Sequence, residues 1–142
     1  LWPNLTVAHP AASLVVNIAP HDVSEDNGSI ELWPGSHLGP TFGSVISAEA
    51  EAARRATVPP VRGNTRKGSV LIRDMRLWHR GMPNCADRPR HMIAMVHNIG
   101  WLQRGRILKF GTGCEAAFPE GPLDHNVAFT DEPIDHVGLR TD

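Results

Sequence analysis

Short apolar segments rich in β-branched residues, each closed within a few positions by Pro or Gly, constrain the fold of this chain most strongly. Residues 13–19 lie between two prolines and are predicted to form a buried strand. Residues 29–33 alternate in polarity, as a half-buried strand should, and residues 69–73 and 90–98 are predicted to form two further strands. The 13 glycines and 12 prolines suit a turn-rich β protein better than a helical bundle.

One segment, residues 47–56, has the composition of a helix. It is rich in Ala and Glu, Ser47 is suited to cap its N-terminus, and Glu51 and Arg55 have the i,i+4 spacing of a favourable ion pair. We predict that this helix is an insertion over a β core. Because a parallel α/β sheet would need a helix after nearly every strand, the pattern predicts an all-β fold, a jelly roll or a barrel, with one inserted helix. From Trp101 onward it predicts only loops.

Composition argues against several classes of function. The 142 residues are enough for one modest domain, and 14 basic against 15 acidic side chains give a net charge of −1, which disfavours a nucleic-acid partner. No apolar run approaches the ~20 residues that cross a bilayer, so we expect no membrane partner. Cys85 and Cys114 are too few for a disulfide scaffold and fit a cytoplasmic protein best.

Residues 68–90 carry the most informative pattern in the chain. A predicted strand leads into a short loop with His79, and a Gly-Met-Pro-Asn turn leads into a second strand that opens at Arg90. A histidine at a strand end in a small barrel suits a neutral imidazole that binds a metal ion. The planar guanidinium of Arg90 suits a carboxylate in the same cavity. Strand parity places four residues on one face: Arg90, Met92, Ala94 and Val96.

Three stretches have the order and spacing of a known enzyme family. Residues 22–37 hold an acidic turn, an Asn-Gly turn signal, a strand and a Pro-Gly-Ser-His run. Residues 67–79 run from Lys-Gly-Ser-Val-Leu-Ile to a Trp-His pair, and residues 79–90 hold His-x-Gly-x-x-Asn followed by Arg. Together, over roughly residues 14–98, the chain resembles the phytanoyl-CoA dioxygenase family of Fe(II)/2-oxoglutarate oxygenases.

The resemblance implies a double-stranded β-helix, a cupin-like jelly roll, that binds Fe(II) and 2-oxoglutarate and uses O₂ to hydroxylate a small organic substrate. In this family a His-x-Asp pair and a distal histidine hold the iron and leave positions open for 2-oxoglutarate and O₂. By resemblance, His79 is the distal metal ligand, Arg90 binds the far carboxylate of 2-oxoglutarate, and Asn17 helps to line that pocket. Residues 1–100 would form the C-terminal portion of the oxygenase domain, and residues 101–142 a loop-rich extension of the same domain.

The chain departs from the family pattern at the iron site, because it contains no His-x-Asp sequence. The family places that pair shortly before the strand that matches residues 14–19, and the chain begins with Leu1 rather than Met, so we expect truncation to have removed it. The fragment alone is then expected to be inactive, and no residue is assigned a direct catalytic role. Two alternatives stay open: a non-catalytic β-barrel that binds a small molecule or a partner, and a cupin-type isomerase.

Other candidate residues have simpler interpretations. Ser36 and His37 are adjacent and poorly placed as nucleophile and base, so their Pro-Gly-Ser-His run is interpreted as a turn that ends a strand. His21 and Asp22 would point to opposite faces of a strand and would not both reach one metal ion. Asp74 either orients a ligand ring or is a simple loop residue.

Overall fold

The structure, a computed structural model, describes residues 10–39, 46–102 and 107–135. The chain forms two compact units, Leu1–Asn98 and Ile99–Asp142. The described elements of the first unit are β1 Ser13–Ile18, β2 Glu31–Leu32, a 3₁₀ helix Ser36–Leu38, α1 Ala48–Thr57, β3 Val61–Arg62, β4 Val70–Asp74, β5 His79–Arg80 and β6 Ile93–Asn98. Those of the second unit are β7 Leu108–Gly111, a 3₁₀ helix Glu115–Ala117 and β8 Val127–Thr130.

The described residues are mostly strand and turn with one α-helix, which confirms the predicted β-rich class. In the first unit one antiparallel sheet has the order β4–β1–β6 and a second has the order β3–β2–β5. No closed sheet is found in the ranges that the structure describes. β6 begins three residues later than predicted, because β1 ends at Ile18 opposite Ile93 and leaves residues 90–92 without a strand to pair with.

The central strand β1 determines which residues share a face of the first sheet. Val15 and Asn17 point to the same side because side chains alternate along a strand. Each has a directly opposed partner on β4 and on β6, and opposed residues share a face. Six residues therefore form one face, here called the cavity face: Val15, Asn17, Leu71, Arg73, Ala94 and Val96. The predicted common face of Ala94 and Val96 is confirmed.

The Asn27-Gly28 pair forms a turn that lies against the loop after β5. Gly28 has a φ of 82°, and Asn27 Oδ1 accepts the backbone N–H of Ser24 at 2.8 Å. A Cβ atom on Gly28 would lie 2.8 Å from the carbonyl oxygen of Met82. Glycine is therefore required here for two reasons, its positive φ and the close approach of two backbone segments.

Helix α1 begins and ends within one residue of its predicted bounds. Ser47 caps it by accepting a backbone N–H at 3.2 Å, and the predicted Glu51–Arg55 ion pair forms at 2.9 Å. No residue of the ten-residue helix is buried, as expected for an insertion on the outside of a β core. Within the described ranges no helix is long and apolar enough to span a membrane.

The segment around β2 contradicts the predicted alternation, because Glu31, Leu32 and Trp33 are all buried. Trp33 is 2% exposed, and the guanidinium carbons of Arg55 and Arg80 lie 5.5 and 5.4 Å from the centre of its ring. Both arginines also pair with Glu31, Arg55 through Nη2 at 3.2 Å and Arg80 through Nε at 2.6 Å. This Glu31–Arg55–Arg80 network covers the side of β2 that a two-faced strand would expose.

The second unit contains strands where only loops were predicted. β7 and β8 pair in parallel, so the interpretation of residues 108–111 and 127–130 as loops was wrong. The ring of Phe118 lies 4.7 Å from that of Phe110 and 5.7 Å from that of Phe129. These ring contacts connect β7 and β8 through the segment between them, and such packing stabilises short strands whose local pattern is weak.

Candidate functional site

One cavity lies on the cavity face, near the end of β1. Its lining includes Asn17, Leu71, Arg90 and Met92. The enclosed volume is about 20 Å³, which is room for about one water molecule. Met92, which covers part of this cavity, is 42% exposed and has a flexible side chain.

Asn17 presents an incompletely satisfied amide to this cavity. The residue is 5% exposed, and its Nδ2 donates to Met92 Sδ at 2.9 Å, although a thioether is a weak acceptor. Its Oδ1 is buried without a hydrogen-bond partner among the described residues. Because a buried polar group without a good partner costs free energy, the Asn17 amide fits a polar ligand that takes the place of Met92.

Arg90 lines the same cavity as Asn17. It is half-buried, and its guanidinium makes no hydrogen bond or ion pair within the part of the chain that the structure describes. A cation that lines a cavity without a protein anion is available for an anionic ligand. The structure therefore brings together the two residues that the resemblance assigned to 2-oxoglutarate.

His79 was predicted to lie on a loop and in one cavity with Arg90, and both expectations were wrong. It is the first residue of β5, and it does not line the cavity that Arg90 lines. Its Nδ1 is 2.8 Å from the carbonyl oxygen of Leu77. Because a carbonyl only accepts, Nδ1 carries the hydrogen and Nε2 keeps a free lone pair, which is the tautomer of an oriented metal ligand. Arg73 Nη1 approaches Nδ1 to 3.5 Å, so the imidazole lies beside the cavity face.

Ser36 connects the turn after β2 to the strand that carries His79. Its hydroxyl donates to the Trp33 carbonyl at 2.7 Å and accepts the backbone N–H of Trp78 at 2.8 Å. The Pro-Gly-Ser-His run is indeed a turn, with a φ of 76° at Gly35 and a short 3₁₀ helix after it. The sequence alone did not reveal that Ser36 anchors the residue before His79, because that contact joins positions 42 residues apart.

We expect Ser36→Ala in the full-length protein to lower the free energy of unfolding by about 1–3 kcal/mol, because the Trp78 N–H loses its acceptor. Fe(II) affinity should fall by about tenfold to hundredfold, because the His79 ring is less well oriented. Ser47→Ala is the matched control, since it removes a helix cap at a cost of about 1 kcal/mol without touching β5. Urea denaturation and iron titration measure the two effects, and equal iron affinities in both variants would contradict this role.

The other candidates do not assemble into a metal site. No group of three His, Cys, Asp or Glu side chains within the described ranges is placed to hold a metal ion. Asp22 Oδ1 accepts the backbone N–H of Lys67 at 2.7 Å. Asp74 is the last residue of β4, so its interpretation as a loop residue was wrong, and its Oδ2 pairs with Arg76 Nη2 at 2.7 Å.

Comparison with protein families decides the assignment. The family model described as "Phytanoyl-CoA dioxygenase (PhyH)" matches residues 1–92 of this chain. The chain belongs to the phytanoyl-CoA dioxygenase family. The resemblance predicted from the sequence motifs is confirmed, and the matched range of the family includes Asn17, His79 and Arg90.

Solved structures are similar over part of their length. EctD from S. alaskensis with bound Fe is 25% identical, with a TM-score of 0.57 over 62% of this chain. EctD with 2-oxoglutarate and 5-hydroxyectoine is 24% identical, with a TM-score of 0.58 over 62%. The non-heme alpha ketoglutarate dependent epimerase SnoN is 26% identical, with a TM-score of 0.51 over 61%. The chain spans 31–32% of the length of these proteins.

Proposed function

We propose that the whole protein is an Fe(II)- and 2-oxoglutarate-dependent dioxygenase that hydroxylates a small organic substrate. Residues 1–100 supply the C-terminal part of its double-stranded β-helix, a jelly roll, and residues 101–142 supply an extension of that domain. Family membership supports this function, as do the iron and 2-oxoglutarate of the EctD structures. The exposed free thiols of Cys85 and Cys114 support a reducing, cytoplasmic setting.

The observation that carries the proposal is that Arg90 and the buried Asn17 line one cavity. The guanidinium of Arg90 binds the far carboxylate of 2-oxoglutarate, and its planar fork matches the two oxygens. The Asn17 amide exchanges its weak bond to Met92 for a bond to the bound acid. The bound acid thus gives an ionic partner to the Arg90 guanidinium and a hydrogen-bond partner to the Asn17 amide, which both lack good partners in the protein.

His79 holds the iron through Nε2, while its Nδ1–H bond to the Leu77 carbonyl keeps the ring in place. The His-x-Asp half of the site comes from outside this chain, which contains no such sequence. When bound, iron and 2-oxoglutarate would provide the chemistry by which O₂ oxidises the substrate, and the keto acid would be converted to succinate and CO₂. The residues of this chain bind and orient the two groups.

Arg90→Gln in the full-length protein is expected to weaken 2-oxoglutarate binding by about tenfold to hundredfold, because a charge-assisted pair is lost. Anaerobic calorimetry with Fe(II) present measures the dissociation constant. Arg66→Gln is the control, since Arg66 is exposed on the turn before β4 and should bind like the wild type.

A wild-type protein that binds no 2-oxoglutarate would overturn the proposed function. A protein that binds 2-oxoglutarate but forms no succinate with any substrate would instead be the non-catalytic binding barrel.

A further inference from the structure

Arg73 is a half-buried cation on the cavity face that neither the motifs nor the proposed function uses. It lies on β4 opposite Val15, two positions from the cavity-lining Leu71. Alternate residues of a strand are about 6.6 Å apart, so Arg73 continues the face beyond the cavity. Its Nη1 ends 3.5 Å from Nδ1 of His79, at the opposite end of the face from Arg90.

No carboxylate of the described residues compensates this charge. The neighbouring Asp74 points to the other face of the sheet and is bonded to Arg76 through both of its oxygens, at 3.0 and 2.7 Å. The Nε atom of Arg73 is buried and has no hydrogen-bond partner in the described ranges. Burial alone lowers the pKa of the Arg73 guanidinium from its ordinary value.

Apart from Arg90, which lines the cavity, two other half-buried arginines of the first unit, Arg62 and Arg76, have the partners that Arg73 lacks. Arg62 donates twice to the Ser29 carbonyl, at 3.2 and 2.7 Å, and Arg76 pairs with Asp74. The contact of Arg73 with His79 does not replace such a partner, because Nδ1 already donates to the Leu77 carbonyl and is unable to accept. A half-buried guanidinium without an anionic partner lowers the stability of the folded protein until an anion binds it.

We propose that Arg73 is a second carboxylate-binding residue, an inference that rests on the proposed function. Arg73 holds an acidic group of a ligand beside the His79 ring, while Arg90 binds the far carboxylate of 2-oxoglutarate at the other end of the face. A carboxylate is the group that a guanidinium recognises with two parallel hydrogen bonds. It belongs either to the keto-acid end of 2-oxoglutarate or to the substrate. In the second case the substrate is a carboxylic acid.

Full-length wild type, Arg73→Gln, Arg73→Lys and the control Arg66→Gln are compared by anaerobic calorimetry with Fe(II). The first titrant is 2-oxoglutarate. The second is benzoate, with benzamide as its uncharged counterpart, added to protein already saturated with 2-oxoglutarate. We expect Arg73→Gln to weaken one of the two acids by about tenfold or more, Arg73→Lys to weaken it less, and Arg66→Gln to change neither.

The stability of the free variants separates a binding role from a structural one. If Arg73 serves to bind an anion, Arg73→Gln should melt at the same temperature as the wild type or higher, because a half-buried charge without an anionic partner is removed. A loss confined to 2-oxoglutarate identifies the keto acid as the ligand, and a loss confined to benzoate identifies an acidic substrate.

Three outcomes would overturn the inference. The first combines two results: Arg73→Gln binds 2-oxoglutarate as tightly as the wild type, and the wild type binds benzoate no more tightly than benzamide. The second is that Arg73→Gln loses Fe(II) affinity as severely as His79→Ala, which would make Arg73 a positioning residue for the ring. The third is a clearly lowered melting temperature. If Arg90→Gln still weakens 2-oxoglutarate, the proposed function survives all three.

Discussion

Replacing His79 with alanine is expected to lower 2-oxoglutarate-dependent succinate formation by the full-length protein by more than about 100-fold. Loss of a residue that only orients a metal ligand costs about 10–100-fold in affinity or activity, and removal of the ligand itself should cost more. The structure gives this histidine the features of a ligand, since Nδ1–H is bonded to the Leu77 carbonyl and Nε2 is left with its lone pair. Fe(II) affinity should fall together with the rate.

His97→Ala is the matched control for this prediction. His97 lies on β6 opposite Leu14 and therefore on the face of the sheet that points away from the cavity face. Its loss should change neither iron binding nor succinate formation. An His79→Ala protein that keeps its iron and its turnover would show that the metal is held by residues outside this chain, and the proposed role of His79 would be wrong.

Trp33→Ala is expected to lower the free energy of unfolding by about 3–5 kcal/mol, which is the usual cost of removing a buried aromatic side chain. Trp33 is 2% exposed and is covered by two guanidinium groups that also hold Glu31. Its removal leaves a cavity and takes away the surface on which Arg55 and Arg80 lie. Urea denaturation followed by circular dichroism measures the change.

Trp101→Ala serves as the comparison, because Trp101 is 71% exposed. Its replacement should change the free energy of unfolding by less than about 0.5 kcal/mol. Equal stability losses in the two variants would contradict the inference that burial of Trp33 stabilises the first unit.

The strands and the helix of the first unit are predictable from sequence where the signal is local. Residues 13–19 are apolar between two prolines, and residues 47–56 combine an N-cap with an i,i+4 ion pair, so both elements appear within one residue of expectation. Burial of the whole run from Glu31 to Trp33 was not predictable, because it depends on arginines contributed by α1 and β5. The β7–β8 pair likewise depends on contacts with Phe118.

In the candidate site, too, residues with a local sequence signal were predictable and residues that depend on distant contacts were not. Spacing and family resemblance pointed to His79, Arg90 and Asn17, and the structure places the last two on one cavity. Arg73 was missed although its signal is present, since a charged residue two positions after Leu71 in an apolar strand must share the face of that leucine. Ser36 carried no local signal, because its partner is distant in sequence.

The Glu31–Arg55–Arg80 network connects the inserted helix to the strand that carries His79. Arg80 follows His79 in β5. It pairs directly with Glu51 of α1, through Nη1 at 3.3 Å, and shares Glu31 with Arg55 of α1. A substitution at Glu51 would remove a direct ion pair with the residue after His79, and one at Arg55 would act on Arg80 only indirectly, through the shared Glu31 and Glu51. Substitutions at two positions of a peripheral insertion therefore change the ion pairs of the strand that carries His79, while the candidate site residues stay the same.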